Sequence, residues 1–260
     1  MNDTVKRPTA LRSWRERCRI LVLAIHLGSV TLMASSCAVS PVRTSGLYTA
    51  ANQDGPAQTA YVPPSGNGLV IVVLSGATGP RLYDSFAAAL AKEGYYVVLL
   101  DGNDVRRNAA GDTTLRQAIV RAQAAPNAIP GKVGIVGFSL GGGMALQRAA
   151  AMPESVSVVV VYYPTTSFVS DGADLTRRFR VPVLMLAGEQ DRYNNCCLIE
   201  TARAIETAAN QQKASFTLIS YPLAEHGFNL AVPAYRAQDD VDAWKRTLET
   251  LRQHVRPQQQ

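Results

Sequence analysis

From residue 69 onward, short apolar runs rich in Val and Ile alternate with longer stretches of helical spacing. The runs cover 69–74, 95–100, 133–136, 156–162, 181–187 and 215–221, each of strand length. Apolar positions at helical spacing predict helices over 83–92, 114–124, 140–152, 198–210 and 239–254. Continuously apolar strands separated by helices bury a sheet on both faces, so the expected fold is α/β. The sheet should be mostly parallel, with six or more strands, and no second boundary divides 69–256. In the last helix, Trp244, Val241, Leu248 and Leu251 share a spacing that should pack on the sheet.

The pattern before residue 69 is different. Residues 1–37 combine Lys6, Arg7, Arg12, Arg15, Arg17 and Arg19 with an apolar stretch over 20–34, shorter than the roughly 20 residues of a spanning helix. This is the layout of an export signal. Ala34-Ser35-Ser36-Cys37 resembles a bacterial lipoprotein box, in which Cys37 becomes lipidated and anchors the chain to a membrane. Cleavage after Ala38 and a retained anchor are the alternatives. Residues 38–68, rich in Ser, Thr, Gly, Pro, Asn and Gln, are expected as a linker with a short extended piece near Tyr61-Val62.

That division changes the meaning of the charge. The chain carries +6, but +4 of it lies in residues 1–37, leaving a nearly neutral body. A nucleic-acid partner is therefore disfavoured. At 47% hydrophobic and 18% charged, a chain of 260 residues buries a core without a disulfide framework.

Chemistry in a parallel sheet collects at the carboxyl ends of the strands, beside helix N-termini. There, Gly137-Phe138-Ser139-Leu140-Gly141 joins the third apolar run to an Ala-rich helix, the context a nucleophile elbow requires. A serine on so tight a turn needs small neighbours, and the helix dipole favours negative charge developing beside it. A serine hydroxyl needs a base. His26 lies in the signal segment and His254 near the end of the last helix, which leaves His226, after the sixth run. Asp191, after the fifth run, is placed to orient that histidine and completes the chain order Ser…Asp…His; Glu189 is its nearest competitor. Asp101 and Asp104 are expected as loop or capping residues. Backbone amides of Leu140 and, in Ser75-Gly76-Ala77-Thr78-Gly79-Pro80, of Ala77 are the candidates for an oxyanion hole. That loop lacks the pattern of a phosphate-binding one.

With these residues in view, the chain resembles the dienelactone hydrolases of the α/β-hydrolase superfamily over about residues 69–254. The resemblance rests on Gly137-Phe138-Ser139-Leu140-Gly141-Gly142, Gly188-Glu189-Gln190-Asp191 and His226-Gly227-Phe228, at intervals of 52 and 35 residues. It implies the α/β-hydrolase fold with a modest lid or none. The family enzymes that open dienelactone usually carry cysteine where Ser139 stands, a glutamate near Gly76 and an arginine near Leu230. The serine points to ordinary ester chemistry. The reading is an exported serine hydrolase acting on an ester or thioester of a small or medium substrate, and no spacing in the chain implies a metal or organic cofactor. Acyl transfer by the same residues, and a non-catalytic exported binding protein on this fold, are the other readings.

Cys196 and Cys197 are adjacent, and neither a further Cys nor a second His lies at ligand spacing, which argues against a metal site. They are expected as buried or half-buried thiols near the acid loop, a bond between them in an oxidising compartment being the alternative. Tyr162, Tyr163, Phe168 and Tyr193 follow strand ends and are candidates to line an acyl or aromatic pocket.

Overall fold

The computed structural model describes residues 56–258 apart from Arg107. The expected signal over 1–37, Cys37 and most of the linker lie outside the described residues. Strands β1 (Gln58–Tyr61), β2 (Gly68–Leu74), β3 (Tyr96–Leu100), β4 (Ala128–Phe138), β5 (Val156–Tyr162), β6 (Val183–Gly188) and β7 (Phe216–Tyr221) form one sheet of seven, in the order β1-β3-β2-β4-β5-β6-β7. All neighbours are parallel except β1, which pairs antiparallel with β3. The helices are α1 (Asp84–Lys92), α2 (Gly102–Arg106), α3 (Asn108–Gln123), α4 (Leu140–Gln147), α5 (Gly172–Thr176), α6 (Ile199–Gln211) and α7 (Ala237–His254).

The β-branched runs are apolar throughout because both sheet faces are covered. Successive residues point to opposite sides. Val70, Val72, Ile135 and Val161 pack with Leu115 and Ile119 of α3, Ala145 of α4 and Ile205 of α6. Ile71, Val73, Val136 and Val160 pack on the other side with Leu90 of α1 and Leu251 of α7. β4, flanked by β2 and β5, is the central strand and delivers its carboxyl end into the middle of one edge. The loops after β2, β6 and β7 open at that same edge.

Three details differ from the sequence expectation. The extended piece expected near Tyr61-Val62 is present and belongs to the sheet: residues 58–61 pair with β3 as an edge strand, so the sheet begins before residue 69. The spacing missed α2 and α5, which at five residues each are too short to show a helical period. In α7, Leu248 and Leu251 are buried and Trp244 meets Phe86 edge-on, but Val241, 68% exposed, faces solvent.

Candidate active site

β4 stops at Phe138, α4 starts at Leu140, and Ser139 between them has φ 49° and ψ −114°. A positive φ in a residue with a side chain is strained and persists only where packing enforces it. The enforcement is visible. The Ser139 amide donates to the Tyr162 carbonyl at 3.0 Å, and its own carbonyl accepts from the amides of Gly143 at 2.9 Å and Thr165 at 2.8 Å. Gly141 lies so close to β2 that a Cβ there would sit 2.4 Å from the Leu74 carbonyl oxygen.

The expected serine, histidine and aspartate are brought together from three loops. His226 Nε2 is 3.0 Å from Ser139 Oγ, and His226 Nδ1 is 2.8 Å from Asp191 Oδ2. Asp191 is fully buried, and its other oxygen accepts from the Tyr193 amide at 3.0 Å. Glu189, the competing carboxylate, accepts instead from Ser220 at 2.7 Å and Arg203 at 2.8 Å. The Ser220 hydrogen bond, with the Arg203 charge beside it, lowers its carboxyl below the usual range. After His226, the turn needs a left-handed residue, supplied by Gly227 at φ 80°. His254 lies at the far end of α7, its pKa lowered by burial.

Both expected oxyanion donors lack a hydrogen-bond partner among the described residues. The Leu140 amide opens α4. The Ala77 amide sits in the loop after β2, and Asn103 Nδ2 donates to the Ala77 carbonyl at 3.0 Å, holding the following peptide of that loop. Asn103 is in turn held by Asp101 Oδ1 at 2.9 Å, the loop role expected for that aspartate. Tyr83 braces the same loop, meeting the Gly76 backbone and the Thr78 hydroxyl. Burial dominates over both contacts and pushes the Tyr83 phenol up to about 12. Gly76 has no room for a larger residue, since a Cβ would lie 2.4 Å from the Tyr83 hydroxyl oxygen and 3.3 Å from Ser139 Cβ. Sequence reasoning missed Tyr83 and Asn103; their roles depend on a fold that returns them to the loop.

Ser139 and His226 open into a cleft of about 640 Å³ whose lining includes Ala77, Leu82, Tyr83, Leu230, Val232 and Pro233. Of the four candidate aromatic residues, Tyr163 and Tyr193 line it. Tyr162 and Phe168 are not among its lining residues: Tyr162 is buried against α7, bonded to Thr247 at 2.7 Å, and Phe168 lies beside Gly143. The His226 ring packs against two aromatics, Tyr193 parallel to it at 4.6 Å and Tyr163 edge-on at 4.7 Å.

The expectation of thiols at Cys196 and Cys197 is corrected: the two form a disulfide. The left-handed Asn194 and Asn195, at φ 47° and 52°, precede the pair. Sequence spacing also missed a neighbour, because the two sulfurs and a ring nitrogen of His226 lie within 4.8 Å of one another.

Comparison with known proteins bears on this geometry. The signature of the Dienelactone hydrolase family matches residues 99–255. A Yersinia pestis protein that carries the name carboxymethylenebutenolidase is 34% identical over 129 residues, 47% of each chain. The chain thus spans about half the length of the curated relative it matches. Among solved structures, one named as a dienelactone hydrolase of Klebsiella pneumoniae subsp. pneumoniae superposes with a TM-score of 0.61 and 22% identity, over 78% of this chain and 90% of the other. A dienelactone hydrolase-like promiscuous phosphotriesterase from metagenomic libraries gives 0.64 and 18%, over 76% and 92%.

Proposed function

The chain belongs to the dienelactone hydrolase family, and from that footing we propose that it is an exported carboxylic ester hydrolase working through an acyl-enzyme on Ser139. The observation that carries this reading is the continuous relay Asp191–His226–Ser139, with contacts of 2.8 and 3.0 Å. Ser139 Oγ attacks the ester carbonyl carbon and passes its proton to His226 Nε2. The Ala77 and Leu140 amides stabilise the resulting oxyanion. Collapse expels the alcohol, which takes the proton from His226. Water then attacks the acyl group, His226 accepts one of its protons and returns it to Ser139, and the acid leaves. Asp191 holds the imidazole in the tautomer that can accept at Nε2 and stabilises the imidazolium.

The cleft supports an ester of small or medium size with an apolar acyl or alcohol part, since Leu82, Leu230, Val232 and Pro233 line it. Leu230 at this place offers no charge to a substrate carboxylate. Export is supported by the basic and apolar pattern of residues 1–37.

The purified protein should be labelled by a fluorophosphonate probe and should turn over p-nitrophenyl acyl esters. Ser139→Ala and His226→Ala should abolish both. Asp191→Asn should lower kcat by about 10³–10⁴-fold while leaving the fold intact. An unlabelled, folded parent protein would sink the proposal.

A further inference from the structure

The Cys196–Cys197 pair is anchored beside His226 chiefly by the backbone of Cys196. The Cys196 carbonyl accepts from the amides of Thr166 at 2.7 Å and Ser167 at 3.0 Å, and the Cys196 amide donates to the Tyr193 carbonyl at 3.0 Å. Tyr193 is itself tied to Asp191 through its amide and stacks on His226. Cys197 Sγ faces the Thr165 hydroxyl at 3.9 Å, on the segment whose amide holds the Ser139 carbonyl. Opening the disulfide therefore frees two thiols without releasing the backbone that carries them. With the disulfide closed, the sulfurs of the half-buried Cys196 and the buried Cys197 and a His226 nitrogen already lie within 4.8 Å of one another.

Two thiolates and an imidazole are the donor set of a borderline-soft divalent cation, bound at about 2.3 Å through sulfur and about 2.0 Å through nitrogen. We propose that the reduced Cys196 and Cys197, together with His226, form a capture site for a thiophilic divalent cation such as Zn²⁺ or Cd²⁺, a site that the disulfide closes. A phosphine reductant opens it: phosphine, disulfide and water give phosphine oxide and two thiols. The cation then displaces two thiol protons as it binds both sulfurs and the ring nitrogen. Completing the site draws His226 away from Ser139 or Asp191, so capture and base catalysis exclude each other. That exclusion rests on the ester-hydrolase reading, whereas capture does not.

The full chain, reduced with a water-soluble phosphine and desalted under anaerobic conditions, is titrated with Zn²⁺ in competition with a chromophoric chelator. The reduced protein should bind one Zn²⁺ per chain more than the oxidised protein. Cys197→Ser and His226→Ala should each weaken that binding at least tenfold, which separates this site from Cys18 and Cys37. Fluorophosphonate labelling of Ser139 should fall when Zn²⁺ is added to the reduced protein and return on chelation, while the oxidised protein keeps its labelling. Equal Zn²⁺ uptake by oxidised and reduced protein, undiminished uptake by both variants, or loss of the folded circular-dichroism signal on reduction would overturn the site. One extra Zn²⁺, lost in both variants, in a protein that the probe never labels would establish the capture site and refute the hydrolase reading instead.

Discussion

The ring of Tyr193 lies parallel to the imidazole of His226, with centroids 4.6 Å apart and planes 11° from each other. The amide of the same residue donates to Asp191 at 3.0 Å. One residue therefore contacts both partners of the histidine–aspartate pair, by its side chain on one side and its backbone on the other. The side chain is 53% exposed, so its packing on the imidazole, not burial in the core, accounts for its placement.

Removing only the ring isolates that contribution. Tyr193→Ala keeps the amide and loses the stack, which is worth about 0.5–1.5 kcal/mol for an aromatic pair. Its kcat on a small acyl ester should fall by about 2- to 10-fold. Tyr193→Phe should stay close to the parent. Steady-state kinetics of the two variants, with KM read separately from kcat, checks the assignment.

Gly141 and Gly66 provide a contrast in what a methyl group costs. At Gly141 the added carbon would meet backbone oxygens of Leu74 and Ser75 at 2.4 and 2.5 Å, and β2 and α4 cannot both yield. Gly141→Ala should therefore destabilise the protein by about 3 kcal/mol or more. At Gly66 nothing lies within 4 Å and only the left-handed φ of 85° is at stake. Gly66→Ala should cost about 1–2 kcal/mol. Urea unfolding of both variants measures the difference.

Alkaline pH should destabilise the fold through its buried phenols. Burial pushes the Tyr83 hydroxyl up to about 12, and it raises Tyr162 and Tyr163 for the same reason. In the unfolded chain these phenols ionise near pH 10, so above that the unfolded state holds fewer protons and stability falls as pH rises. Each such phenol contributes about 1.4 kcal/mol per pH unit until its folded value is reached. The melting temperature should decline steeply between pH 10 and 11, and Tyr83→Phe should make that decline shallower.

Much of this architecture is legible in the sequence because its strands are buried on both faces. Val70 to Leu74 and Val156 to Tyr162 are apolar at nearly every position, a signal that survives without any knowledge of partners. Gln58–Tyr61 gives no such signal: an edge strand of mixed polarity is defined by its pairing with β3. The site follows the same division. Ser139, Asp191 and His226 could be found because each follows a strand, and strand ends share one edge. Which neighbouring aromatics face the cleft could not. Tyr162 and Tyr163 are consecutive and lie in the same buried cluster, yet only Tyr163, whose φ is 35°, also lines the cleft, a difference invisible in composition. The proximity of His226 to Cys196 and Cys197 was hidden for a similar reason, since two loops after different strands create it.

The position of β7 at the border of the sheet gives the three site residues unequal mechanical support. Ser139 hangs from the central strand, with neighbours on both sides, whereas His226 follows the outermost strand, which among the described residues has a neighbour on one side only. Border elements open before central ones. Under gradual denaturation the histidine should thus drift out of register while the serine still stands on intact β4, and inactivation should run ahead of the loss of secondary structure.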